Sequence, residues 1–244
     1  MNSGFYSAFA GFAARTDALE MLANNVANAS TVGFKASHAF YRSFDSWTQP
    51  FNATPLNQAI NHFGVLGGAH LDLSPGNIEP TGNDTDVALE GKGFFIIQAA
   101  NGIRYTRAGN FSLNAQRQLV TAQGDLVLGE QGPIQIPAGQ LSISADGTIS
   151  VDGVLVSKLK IADAAPNTQL TAEGKNYFVI PVAAVKDATT VTVRQGNLEM
   201  SNSDPVRTTV SIIELQRTAE LMEKALSIFH NEFNKTATQQ IPIV

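Results

Sequence analysis

The chain begins and ends with hydrophobic residues spaced as on amphipathic helices. In both regions the apolar positions step alternately by four and three residues, which is heptad spacing. The first seam comprises Phe5, Phe9, Phe12, Leu19 and Val26, interrupted by Thr16 and Ala23. The second seam comprises Ile212, Leu215, Met222, Leu226, Phe229 and Phe233, with Ala219 between them. Because both seams lie at chain ends, we expect the N- and C-terminal helices to pair as a coiled coil, although the buried face of an ordinary globular helix has the same spacing.

Two polar stretches mark where these helices end or begin. Asp204 followed by Pro205 supplies an N-cap and a first-turn proline for the second helix. The first helix runs into LANNVANASTVGFK, residues 22–35, which is rich in residues that favour caps and turns. An ordinary helix end would account for Gly33 but not for three asparagines. We therefore predict a connector here, through which the chain leaves the helix for the next domain.

The middle of the chain has the pattern of short strands. Apolar runs and alternating segments are broken by turn signals such as Asn101-Gly102, Asp146-Gly147 and Asp152-Gly153. The predicted fold is therefore mainly β with long terminal α-helices and a central antiparallel β domain. The predicted domains are a discontinuous helical domain (1–40 plus 200–235), the β domain (86–199) and a tail (236–244). A second, extended connector (41–85), distinct from the connector at 22–35, precedes the β domain.

Composition narrows the class of protein. The chain has 244 residues, 43% hydrophobic and 15% charged, which fits one or two domains with a real core. A net charge of −5 with scattered basic residues argues against a nucleic-acid partner. Cysteine is absent, so disulfides and thiolate chemistry are excluded. We expect no transmembrane segment, because no apolar run is long enough, and no ordinary cleaved signal peptide, because the N-terminus lacks a basic region before an apolar one.

No group of residues indicates catalysis or ligand binding. His62 and His70 are eight residues apart, which matches no zinc spacing, and only Asp72 lies nearby. The G-x-G of GKGFF lies between strand-like runs, and the Asp-Gly pairs fit hairpin turns better than calcium loops. The sequence leaves a Ser-His-Asp arrangement in space open, although it has no G-x-S-x-G elbow. We predict no catalytic residue, no bound metal and no cofactor.

Several stretches resemble the signatures of the axial rod proteins of the bacterial flagellum. The N-terminal signature, A-N-N-[LV]-A-N-x-x-T-x-G-[FY]-[KR], is matched by Ala23, Asn24, Asn25, Val26, Ala27, Asn28, Thr31, Gly33, Phe34 and Lys35. TGNDTDVALEGKGFFII, YTRAGNFSLNAQRQLVTAQGDLVLG, ISADGTISV, GNLEMSNSDPV and LQRTAELMEKAL are similar to later elements. The likeness covers nearly the whole chain and is weakest in 45–63 and 163–186. Met200 and Ala219 depart from it, where glycine and an aromatic residue are usual.

The resemblance implies a structural subunit of the flagellar basal-body rod, a tubular drive shaft that transmits torque from motor to hook. It implies other rod subunits and further copies of the chain as partners in a helical tube, and the flagellar type III export apparatus as a further partner. It implies no enzyme activity, no small-molecule substrate and a periplasmic location without a cleaved signal peptide. The compact length favours the proximal rod type over the much longer hook protein, with the distal rod type as the alternative.

The resemblance also assigns roles to residues. The two terminal seams would be assembly surfaces, and the signature would act as a connector through Asn24, Asn25, Asn28, Thr31, Gly33, Phe34 and Lys35. An alternative of another class is a secreted β-rich enzyme or carbohydrate-binding domain with helical ends.

Overall fold

The computed structural model describes residues 2–42, 65–166, 168–174, 176–188 and 190–239. A long helix lies near each end of the chain, α1 (Asn2–Ala27) and α2 (Pro205–Gln239), and strands occupy the region between them. Contacts divide the chain into two compact units. Unit 1 contains residues 1–27, 37–70 and 204–244, and unit 2 contains residues 28–36 and 71–203. The prediction of a mainly β protein is confirmed.

Unit 2 is built from short strands joined by turns. Its described strands are β3 (Ile78–Pro80), β4 (Val87–Gly91), β5 (Phe94–Ala99), β6 (Gly102–Thr106), β7 (Ser112–Leu113), β8 (Leu119–Val120), β9 (Leu126–Gly129), β10 (Gly132–Pro133), β11 (Leu141–Ile143), β12 (Thr148–Val151), β13 (Val154–Lys158), β14 (Ile161–Ala164), β15 (Thr171–Ala172), β16 (Tyr177–Val179), β17 (Val185–Asp187), β18 (Val191–Gln195) and β19 (Asn197–Glu199). A single 3₁₀ turn, Val182–Ala184, precedes β17 among the described residues.

All strand pairs described in unit 2 are antiparallel. The largest sheet follows the order β15-β16-β6-β5-β9-β8-β7, with β10 beside β9, β14 beside β5 and β17 beside β14. Strands β11-β12-β13 form a second sheet, and β18-β4 and β19-β3 form two-stranded ladders. The turns predicted at Asp146-Gly147 and Asp152-Gly153 lie between consecutive strands, and Asn101-Gly102 closes the hairpin of β5 and β6 with Gly102 as the first residue of β6.

Two hydrophobic clusters form the core of unit 2. The larger contains the fully buried side chains of Phe95, Ile97 and Leu119, and the edge of Phe95 meets the ring of Phe111 with centroids 5.0 Å apart. The smaller is centred on Phe94 and Phe178. Because β5 alternates its side chains between two faces, neighbouring residues such as Phe94 and Phe95 enter different clusters. The sheet is thus covered on both faces around β5.

Unit 1 combines the two helices with a two-stranded sheet, β1 (Ser37–Arg42) and β2 (Val65–Leu71). Helices α1 and α2 lie side by side. The side of α1 that is buried carries small residues, Gly11, Ala14 and Ala18. Ala18 is nine residues from Phe9, which is about half a turn around the helix. Phe9 itself is 57% exposed.

The predicted coiled-coil pairing of the helices is therefore wrong. A coiled coil would insert the seam residues of α1 into holes on its partner, yet Phe9, Thr16 and Ala23 are exposed. A groove of about 380 Å³ lies along the helices where Ala18 and Leu22 of α1 face Leu215 of α2. Glycine and alanine let the helix backbones approach closely but do not fill such space as interdigitating large side chains would. The physical reason for the error is that small residues, not the bulkiest ones, determine the buried side of α1.

The start of α2 agrees with its sequence signals. The Asp204 carboxylate accepts hydrogen bonds from the backbone N–H groups of Val206 and Arg207 at 2.9 and 3.1 Å, and Pro205 is the first helical residue. The predicted N-cap is confirmed. Across the described helices, none combines the length and apolar character needed to cross a membrane.

Candidate functional site

The connector predicted after α1 begins where the helix ends. Helix α1 stops at Ala27, and the N–H of Thr31 donates to the carbonyl of Asn28 at 3.0 Å, which closes a turn. Gly33 has φ +67° and its N–H donates to the carbonyl of Glu199 at 2.7 Å. A β-carbon at this glycine would lie only 2.3 Å from the backbone nitrogen of Ala108. Only glycine therefore fits where the connector passes the end of β6.

Within unit 1, Asn25 holds the segment that follows the connector. Its amide oxygen accepts the N–H of Ser37 at 3.0 Å, and its amide nitrogen donates to the carbonyl of Ser37 at 2.8 Å. One buried side chain thus pairs with both backbone groups of a single residue, as a neighbouring strand would. The amide of Asn25 therefore bonds backbone groups of its own chain.

A buried ion cluster lies next to the connector in unit 2. Lys35 Nζ is 2.6 Å from Glu199 Oε1, and Arg107 Nη1 is 3.1 Å from Glu199 Oε2. The Lys35 and Glu199 side chains are 1% and 0% exposed. Oε1 of Glu199 also accepts the N–H of Gly76 at 3.0 Å. A single carboxylate at the end of β19 therefore binds three different segments of unit 2.

The two cations of the cluster make further hydrogen bonds to the backbone. Lys35 Nζ donates to the carbonyl of Ser74 at 2.7 Å. Arg107 donates to the carbonyls of Leu89 and Gly91 at 3.2 and 2.6 Å, and its guanidinium lies 5.3 Å from the centre of the Phe94 ring. Its Nε has no hydrogen-bond partner among the described residues. Arg107, which follows the C-terminal end of β6, thus bonds to the backbone of β4.

Burial dominates the electrostatics of this cluster. Removal from water lowers the pKa of Lys35, and the hydrogen bond that Lys35 donates to Glu199 opposes that change. Burial likewise lowers the pKa of Arg107, again opposed by the charge of Glu199. In both cases desolvation is the largest cause, as expected where charges leave water. Burying these charges therefore costs solvation energy, and the hydrogen bonds and ion pairs of the cluster oppose that cost.

Asn202 completes this arrangement with its amide group. Its Oδ1 accepts the N–H of Ala36 at 2.7 Å, and its Nδ2 donates to the carbonyls of Asp72 and Ser74 at 2.8 and 3.2 Å. We call Lys35, Arg107, Glu199 and Asn202 the clasp. The clasp joins the end of the connector, the segment after β2 and the segment before α2.

The predicted signature residues have different environments. Asn25, Gly33 and Lys35 are buried, Asn28, Thr31 and Phe34 are half-buried, and Asn24 is exposed. Sequence reasoning missed Arg107, Glu199 and Asn202 as partners of this segment. The available signal was a charge inside otherwise small or apolar signature stretches, at Lys35, Arg107 and Glu199.

The predicted seam residues are only partly described. Phe12, Leu19 and Val26 of α1 and Ile212, Leu215 and Met222 of α2 are half-buried. The side chains of Phe5, Leu226, Phe229 and Phe233 lie outside the described part of the structure, as does His62. Among the described residues, no group of His, Asp and Glu side chains is arranged to hold a metal ion.

Large aliphatic residues also lie on a second side of α2, together with Arg217 and Lys224, and the heptad pattern did not indicate this side. Five large aliphatic residues on it are exposed, Val206, Val210, Ile213, Leu221 and Ile228. At 100° per residue they lie within about 80° of one another. Val206 is nine residues from Leu215, so this side faces away from the half-buried seam. We call these five residues the outer stripe.

Comparison with known proteins agrees with the sequence signatures. The sequence profile of the flagella basal body rod protein matches residues 5–35, and that of the flagellar hook protein FlgE/F/G D1 domain matches residues 88–151. The first covers α1 from Phe5 onwards and the connector, and the second covers β4 to β12 apart from Val87. Together they define an axial structural protein of the flagellum.

Whole-chain relatives show the family. The chain is 32% identical over 212 residues to the flagellar basal-body rod protein FlgF of Caulobacter vibrioides, covering 85% of each chain. It is 32% identical over 249 residues to FlgF of Salmonella typhimurium, covering 95% of this chain and 96% of the relative. It is 34% identical over 242 residues to the rod protein FlgG of Agrobacterium fabrum, covering 89% of this chain and 91% of the relative.

The chain belongs to the flagellar basal-body rod protein family. Members of this family are structural subunits of the rod, and the family is not one of enzymes. Membership implies that the chain assembles with other rod components. The prediction of a flagellar rod subunit is therefore confirmed, and the alternative of a secreted enzyme or carbohydrate-binding domain is excluded.

Proposed function

We propose that the chain is a proximal rod subunit of the FlgF type, which assembles through its terminal helices into the tubular shaft that carries torque from motor to hook. Relatives named FlgF match over most of the chain, which supports this assignment. Relatives named FlgG match to a similar extent, so a distal rod subunit is the second candidate. A density map of the purified basal body would separate the two: this chain should occupy the rod segment nearer the motor rather than the segment next to the hook.

The outer stripe of α2 is the observation that carries the assembly proposal. Several large aliphatic side chains exposed on one side of a helix are typical of a surface that another molecule covers, although Arg217 and Lys224 lie between them here. Leu221 is 65% exposed, and complete burial of a side chain of this size is worth roughly 1.5–3 kcal/mol. We expect helices of neighbouring rod subunits, including further copies of this chain, to cover the stripe. The seam residues and the connector residues remain proposed assembly sites beside it.

An aspartate scan of α2 tests this proposal. Leu221→Asp and Val210→Asp place a charge in the stripe, whereas Gln216→Asp places the same charge at an exposed polar position of the helix. We expect the first two variants to be absent from purified basal bodies and to abolish swimming, since a carboxylate cannot be buried unpaired at low cost. Gln216→Asp should assemble normally. Normal swimming of both stripe variants would contradict assembly through this face. Leu226→Asp and Phe229→Asp extend the test to the seam.

We further propose that the chain reaches the periplasmic rod through the flagellar type III export apparatus without cleavage. The match to the flagella basal body rod protein profile supports this route, since the resemblance to axial rod proteins implies it. Mass analysis of rod-associated chains should then find Met1 or Asn2 at the N-terminus. A mature chain shorter by about twenty residues, the length of an ordinary signal peptide, would refute it.

A further inference from the structure

Unit 2 consists of two pieces of chain, residues 28–36 and 71–203, and therefore has four ends. Three of these ends are Ala36, Leu71 and Ser203. Each lies within three positions in the sequence of a clasp residue or of a residue whose backbone bonds to the clasp. Each of these ends continues directly into a segment of unit 1. All clasp residues belong to unit 2. They lie close to the three positions at which the chain passes between unit 2 and unit 1.

The hydrogen bonds connect these ends to each other. The N–H of Ala36 donates to Asn202 Oδ1 at 2.7 Å, and the N–H of Asp72 donates to the carbonyl of Ala36 at 2.8 Å. Lys35 spans the carbonyl of Ser74 and the carboxylate of Glu199, which lie after β2 and before α2 in the chain. A shift of any one end by a single residue would break several of these bonds.

Buried charge is a poor source of stability. Replacing a buried ion pair with apolar residues of similar size is often neutral or stabilising, because desolvation cancels the electrostatic gain. Apolar contacts, however, are not directional, whereas each hydrogen bond requires one pair of atoms at a defined distance and angle. Replacing the clasp charges with apolar residues would therefore remove the bonds that align the three ends, even if the stability of the chain did not change.

We propose that Lys35, Arg107 and Glu199 are positioning residues that fix the alignment of the ends of unit 2. The inference rests on the proposed assembly function: incorporation into the rod depends on this alignment rather than on stability that the charges add. If loss of the clasp leaves the correct alignment populated only one-tenth of the time, the apparent affinity for the growing rod falls about ten-fold.

The full-length chain allows a direct measurement, because it contains no cysteine. Cysteines introduced at Ser30 and Lys160, both exposed in unit 2, carry spin labels whose separation reports the position of the connector against the β unit. The test variant is Lys35→Met, which keeps the length of the side chain. The matched control is Lys92→Met, the same change at an exposed lysine. A triple variant, Lys35→Met with Arg107→Met and Glu199→Leu, removes the charges together.

We expect a single narrow distribution of the distance between the two spin labels in the parent and in the Lys92→Met control. Lys35→Met and the triple variant should broaden it and reduce incorporation into basal bodies about ten-fold, and the melting temperature of the triple variant should lie within roughly 4 °C of the parent. A narrow distance with normal incorporation in both would overturn the proposal. So would a fall in melting temperature of about 10 °C or more in both, which would assign the clasp to stability alone. If Leu221→Asp blocks assembly while the clasp variants assemble, only this inference fails; if all of them assemble, the proposed function fails as well.

Discussion

The two units of the chain treat their large apolar side chains differently. In unit 2 the side chains of β5 and its neighbours enter two clusters, and Phe95, Ile97 and Leu119 are fully buried, while Val154, Leu155 and Val182 are exposed. In unit 1 the buried side of α1 is lined by glycine and alanine, while Leu221 and Ile228 of α2 are exposed. A large closed core in one unit, beside a long helix with exposed aliphatic side chains in the other, agrees with the proposal that the chain assembles through its helices.

The largest expected effect comes from exchanging core and stripe residues for alanine. Phe95→Ala should cost about 3–5 kcal/mol of the free energy of unfolding, because it leaves a cavity beside Phe111. Leu221→Ala should change the stability of the isolated chain by no more than about 0.5 kcal/mol, because the side chain is already exposed. Urea unfolding of both variants measures the difference. A large loss of stability with Leu221→Ala in the monomer would show that the stripe is covered within the chain.

A smaller effect is expected from adding a methyl group to the connector. Gly33→Ala combines a φ of +67° with a contact at 2.3 Å to Ala108, so we expect a loss of about 2–4 kcal/mol. Gly82 has a similar φ of +71° but no atom within 4 Å of the added carbon, so Gly82→Ala should cost only about 1–2 kcal/mol. Equal losses in chemical denaturation would mean that backbone conformation alone, and not the close approach, demands glycine at position 33.

The smallest effect concerns alkaline pH and belongs to unit 2 alone. Burial raises the pKa of Tyr177 to about 12, and its hydroxyl contacts Thr121 Oγ1 and Asp125 Oδ2 at 2.9 and 2.8 Å. The unfolded phenol ionises near pH 10, so above that pH the folded state binds more protons than the unfolded state. The stabilisation is complete below pH 10 and should be lost as pH rises towards 12. Tyr177→Phe should remove this part of the pH dependence of unfolding; an unchanged profile would refute the assignment.

Local patterns predicted the elements of this fold but not their partners. The spacing of apolar residues located both helices, and Asp204 with Pro205 marked the start of α2, because such signals act within one turn of helix. Asn-Gly and Asp-Gly pairs located the hairpins for the same reason. The buried side of α1 could not be read from hydrophobicity, since Ala14 and Ala18 are buried by close helix approach while Phe9 is not. Side-chain size in the context of a neighbouring helix decides that choice.

The clasp was inaccessible to sequence reasoning for a different reason. Lys35 and Glu199 are separated by 164 positions, and no periodicity or turn signal connects residues so far apart. The signature that contains Lys35 indicated a connector, but it did not indicate which carboxylate would neutralise the lysine. That pairing follows only once β19 has placed Glu199 beside the connector.

The hydrogen bond between Ala36 and Asp72 has a consequence for how the gene can change. Because the N–H of Asp72 lies 2.8 Å from the carbonyl of Ala36, the excursion of residues 37–70 leaves the β unit and rejoins it at one point. Such a segment is topologically an insertion, since its two attachment points remain adjacent whatever its length. Additions and deletions between these points can therefore accumulate over evolution without disturbing the β fold. The most freely varying stretch of related genes should fall there.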